Sequence, residues 1–92
     1  MLQALIRRGD EMLALGDVSA ARLLYERAAN AGSASAAVAA GRTYDPAVLR
    51  VIGALEIRPD PAAAAAWYRR AAALGDPAAT AMLRRLGQGE GE

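Results

Sequence analysis

Apolar and polar positions along the chain recur at three- and four-residue steps rather than alternating, which is the period of a helix and not of a strand. In residues 61–74 the row Ala63, Ala64, Trp67, Ala71 and Leu74 keeps that spacing and marks an inward stripe, while Arg69, Arg70 and Ala73 fall mostly on the other side. Pro and Gly cut the chain into such segments. Asp45-Pro46, Asp60-Pro61 and Asp76-Pro77 each precede good helix formers; the Asp carboxylate accepts from first-turn amides, and Pro at the first helical position loses no hydrogen bond. Asp17 and Ser33 supply two further starts, and Gly32 and Gly75 end Ala-rich runs as left-handed terminators. With little β-branched content between these marks, the pattern predicts an all-α chain. Helices are expected over 2–15, 17–31, 33–44, 46–53, 61–74 and 77–87, and the polar Gly-Glu end, 88–92, is expected to be a flexible tail.

Sliding the chain on itself by 43 residues superposes Asp17–Tyr44 on Asp60–Gly87. Asp17 then meets Asp60, Tyr25 meets Tyr68, Arg27-Ala28-Ala29 meets Arg70-Ala71-Ala72, Gly32 meets Gly75, Ala36 meets Ala79 and Arg42 meets Arg85. Cap, aromatic and terminal Gly keep register together, which points to a repeated helical pair. Each pair would bury its apolar face only by stacking on the next, with Ala allowing close approach and large side chains such as Tyr25 and Trp67 filling the gaps. Tyr25, Leu24, Trp67 and Leu74 are the expected interior.

The spaced residues Gly32, Ala36, Ala40-Gly41 and Tyr44, followed by Asp60, Ala63-Ala64, Trp67-Tyr68, Ala71-Ala72 and Gly75, resemble the Sel-one-like repeat, a relative of the tetratricopeptide repeat. The first pair, with Gly9, Met12, Gly16-Asp17, Ala20-Ala21, Tyr25 and Ala28, is similar to a tetratricopeptide unit. This resemblance implies one domain over 1–87, a short right-handed α-solenoid of antiparallel helix pairs, with about five helices plus a short inserted one. Two departures stand out. The stretch from Tyr44 to Asp60 is longer than the family's usual loop and carries its own capped pattern from Asp45 to Gly53, and the last unit lacks a second helix.

Composition narrows the chemistry. Ninety-two residues allow one small domain, and 25 of the apolar residues are Ala, so the core must be thin and closely packed. The chain has no Cys, His, Lys or Phe, which removes disulfides, thiolate metal sites, histidine catalysis and Schiff-base chemistry. The hydroxyls of Ser19, Ser33, Ser35, Thr43 and Thr80 have no His or Lys to act as base, and neither Asp10-Glu11 nor the tail pair Glu90 and Glu92 has the geometry of a metal site. No enzyme activity, cofactor or metal is expected. A net charge of +1 argues against nucleic acid, and no run approaches the length of a membrane span. The absence of Lys beside abundant Ala, Arg and Gly suggests high-GC bacterial coding, with cytoplasm and periplasm both open.

The function implied by the resemblance is docking of a protein or peptide in a concave face. Arg42 and Arg85, at equivalent positions on helices that line that face in the family, are expected to be exposed side by side, where guanidinium groups could hold an acidic or C-terminal carboxylate ligand. Val38, Met82 and Leu86 complete the expected partner-facing set. The alternative is a homodimer through the unfinished repeat end at Met82 and Leu86, unless the segment Asp45–Ile57 folds back over it.

Overall fold

Side-chain caps start the helices where the sequence places them. In the structure, a computed structural model that describes residues 1–90, Asp17 accepts from the Ala20 amide at 3.0 Å, Ser33 from Ala36 at 3.1 Å, Asp45 from Ala47 at 3.0 Å, Asp60 from Ala63 at 3.1 Å and Asp76 from Ala78 at 2.9 Å. Six helices result: α1 Leu2–Ala14, α2 Val18–Asn30, α3 Ala34–Arg42, α4 Pro46–Val51, α5 Pro61–Ala73 and α6 Ala78–Glu90. No strand occurs among the described residues. Gly32 and Gly75 follow α2 and α5 with φ of 106° and 103°, a region that penalises any residue with a Cβ. α6 runs past the expected end at 87 through Glu90, and residues 91 and 92 of the expected tail lie outside the described residues.

Each helix packs chiefly on its neighbour in chain order, α1 on α2, α2 on α3, α3 on α5 and α5 on α6, with α4 standing outside that series. Alanine makes this possible. Ala28, Ala29, Ala36, Ala37, Ala71 and Ala79 form one fully buried cluster, where short side chains let backbones approach. Glycine carries the same principle further at two places. A Cβ on Gly9 would sit 2.6 Å from Cε1 of Tyr25, and one on Gly41 would sit 2.6 Å from Cε1 of Tyr68, so each ring lies directly on bare backbone.

Positions 43 residues apart behave alike in several respects. Tyr25 and Tyr68 are both buried, Ala36 and Ala79 both have no exposed surface, and Asp17 and Asp60 cap in the same manner. The expected interior needs correction on α5 and α2. Tyr68, not Trp67, is the buried aromatic of α5; Trp67 is half-buried, with the Arg70 guanidinium 5.4 Å from its ring centroid. Leu74 is 41% exposed because it follows the last turn of α5 as its C-cap, and Leu24 is half-buried. The inward stripe of α5 is therefore Ala64, Tyr68 and Ala71.

The segment between α3 and α5 is ordered in part by a small apolar cluster. Leu49 of α4 is buried with Val18 and Ala54, and Leu13 and Ile57 pack against them. Its two ends meet where the Asp60 amide donates to the Tyr44 carbonyl at 2.9 Å. No helix among the described residues is long and apolar enough to cross a membrane.

Candidate interaction site

Arg42 ends α3, where a basic side chain sits well beside unpaired carbonyls. The turn that follows is tied down by Arg22 from α2. Its Nε donates to Thr43 Oγ1 at 2.9 Å, a second nitrogen donates to the Thr43 carbonyl at 2.6 Å, and its guanidinium lies 3.7 Å from the Tyr44 ring centroid. The Tyr44 hydroxyl donates to Glu26 at 2.9 Å. Burial, with this bond to a carboxylate, raises the Tyr44 pKa above its ordinary value. The chain thus leaves α3 in a fixed direction, and that direction sets where α4 begins.

Asp45 opens α4 and is fully buried. It accepts four hydrogen bonds from three residues. Besides the Ala47 amide it accepts from the Tyr68 hydroxyl at 2.7 Å, and Arg85 of α6 forms an ion pair with its Oδ2. Burial by itself would raise the carboxyl's pKa, yet the bonds from Arg85 and Tyr68, the Arg85 charge and the Ala47 amide outweigh it and hold Asp45 below its ordinary value. Burial first, and then the bond to the Asp45 carboxylate, push the Tyr68 hydroxyl up against the opposing charge of Arg85. Tyr25 follows the same rule between α1 and α2: burial and its 2.5 Å bond to Asp10 raise its pKa.

This clasp fixes α4 relative to α6 and leaves a groove between them. A cavity of about 370 Å³ is lined by Arg42, Val48, Val51, Ile52, Met82 and Arg85. A smaller one of about 120 Å³ adjoins it along Arg42, Val48 and Ile52 and extends to Asp10 and Leu13 of α1. Arg42 stands where the two meet, exposed, and has no ion-pair partner among the described residues.

The sequence-predicted residues divide accordingly. Arg42, Met82 and Arg85 do share one groove. Arg85 is not a second free cation, because its charge is committed to Asp45, although its side chain remains 43% exposed. Leu86 is buried against Ala64 and Tyr68, and half-buried Val38 packs on that cluster and on the alanine cluster, so both serve the interior rather than the groove. The outer surface expected to be apolar at the unfinished end carries Thr80, Ala81, Arg84 and Gln88 instead. Sequence reasoning missed the clasp. Asp45 signals only its local capping role, and nothing in the chain marks Arg85 as its partner 40 residues away.

Comparison with models of protein families, with curated proteins and with solved structures finds no match to this chain. The groove's own chemistry is therefore what bears on function. It presents one uncommitted guanidinium between aliphatic walls, a pattern suited to gripping a carboxylate that lies between apolar groups.

Proposed function

We propose that the chain is a non-enzymatic protein-interaction module, a short Sel-one-like or tetratricopeptide-like solenoid that docks a peptide or partner segment in its concave face. The supporting observation is Arg42, unpaired among the described residues at the junction of two apolar-walled cavities. A bound segment would place a carboxylate on Arg42 and aliphatic side chains against Val48, Ile52 and Met82. Desolvated charge-assisted bonds at the centre of an apolar patch contribute more than rim contacts do. The resemblance of the spaced Gly, Ala and Tyr residues to the repeat family supports the same reading, as does a composition without His, Cys or Lys. An aqueous bacterial compartment suits such a module.

Selection of random peptides displayed against the chain tests this reading. Recovered peptides should carry an acidic residue beside aliphatic ones. Arg42→Glu should weaken their binding about tenfold or more, whereas Arg69→Glu should leave it unchanged. Equal effects at both positions would refute the groove assignment.

A further inference from the structure

Large apolar side chains are unusually exposed at one place. Val51 is 85%, Ile52 44% and Leu55 86% exposed, all within five residues of the inserted segment. A concentration of this kind marks an interaction surface more often than scattered exposed residues do. Next to Leu55 stands Glu56, exposed and without an ion-pair partner among the described residues. Leu55-Glu56 is thus a protruding aliphatic group beside a carboxylate, the chemistry that the Arg42 groove is suited to accept. Within one chain it does not reach that groove, because Leu55 lies on the other flank of α4, beside Pro46, Leu49 and Arg50.

We propose that the groove receives this segment from a second copy of the chain, an inference that rests on the reading of the groove as a docking site. Leu55 of each copy enters the cavity walled by Val48, Ile52 and Met82 of the other, and Glu56 pairs with Arg42. Ridge and groove share Val51, the last residue of α4, and Ile52, its C-cap. They are therefore adjacent, and a two-fold axis beside α4 satisfies both contacts at once and closes the assembly at two copies. The inserted segment then has a physical role: it supplies the ligand and one wall of the site. Its exposed apolar surface is covered in the dimer.

Sedimentation velocity from micromolar to millimolar concentration tests this with the whole chain. The unmodified protein should pass from monomer to dimer, and Leu55→Asp or Arg42→Glu should each raise the dissociation constant about tenfold or more. The exchange of charges, Arg42→Glu with Glu56→Arg, should restore the dimer. All three residues are exposed, and circular dichroism checks that each variant keeps its helices; the charge exchange tests the contact even where Leu55→Asp does not fold. A protein that stays monomeric at millimolar concentration overturns the proposal, as does a dimer indifferent to both single substitutions. Displayed peptides that still bind a monomer through Arg42 would leave the docking reading standing while this one falls; failure to recover any such peptide would remove the docking reading itself.

Discussion

At the scale of single residues, the clasp on Asp45 sets a pH dependence. Its carboxyl titrates lower in the folded chain than its ordinary value of 3.8. The bonds from Arg85, Tyr68 and Ala47 therefore stabilise the fold fully above that value, and the contribution is lost as pH falls through the folded pKa. Asp45→Asn should flatten the acid limb of a stability profile measured by urea unfolding, and Asp45→Ala should cost on the order of 2–3 kcal/mol at neutral pH, limited because Arg85 can turn toward water. The tyrosines have the opposite sign. Each neutral phenol is favoured by the fold, so this stability is present below the ordinary value of 10.0 and lost as pH rises through the folded values. Ultraviolet titration should show no phenolate forming near 10 before the helices melt. Glycines divide by surroundings. Gly41→Ala should lower stability by about 1–3 kcal/mol, because its Cβ meets the Tyr68 ring at 2.6 Å. Gly87→Ala, with nothing within 4 Å, should raise it by roughly 0.5–1 kcal/mol through helix propensity. Thermal melts of the two variants should move in opposite directions.

At the scale of elements, what the sequence made legible was whatever is decided within a few residues. Asp17, Ser33, Asp45, Asp60 and Asp76 each act on an amide two or three positions ahead, so helix starts can be read without knowing the fold. Facing is harder in a helix built of alanine. The segment Ala62–Ala66 offers almost no contrast between sides, and a one-residue error turns the stripe by about 100°. The row through Trp67 and the row through Tyr68 differ by that single step. The 43-residue register contained the missing information, since it pairs Tyr68 with Tyr25 and not Trp67 with it. Arg85 illustrates a different limit: its place 43 residues after Arg42 pointed to the shared groove, but the buried carboxylate that claims it lies in the segment between Tyr44 and Asp60, outside that register. Truncation should rank the two aromatics. Tyr68→Ala should cost about 3–5 kcal/mol, and Trp67→Ala clearly less because its ring is only half-buried. Chemical denaturation that finds Trp67→Ala the costlier would show α5 turned by one position.

At the scale of the whole molecule, the order of packing governs how the fold opens. α2, α3 and α5 each lie between two neighbours, whereas α1 rests chiefly on α2 and α6 chiefly on α5. An end helix can detach by giving up one interface, while an inner helix must give up two. The two ends are not equal. α1 is held by the Tyr25–Asp10 bond and by Leu2, Leu5 and Ile6 against the alanine cluster, while α6 is held by the Arg85 clasp and by Leu86 against Tyr68. Native-state hydrogen exchange should therefore show the highest protection in α2, α3 and α5 and lower protection in α1 and α6, with α4, six residues long and with Leu49 the one buried residue inside it, opening most readily. Protonating Asp45 weakens a tie that joins α4 to α5 and α6. Lowering the pH through the folded Asp45 titration should accelerate exchange in α4 and α6 before it does so in α1 and α2, and an equal acceleration in all helices would show that the molecule opens as one cooperative unit.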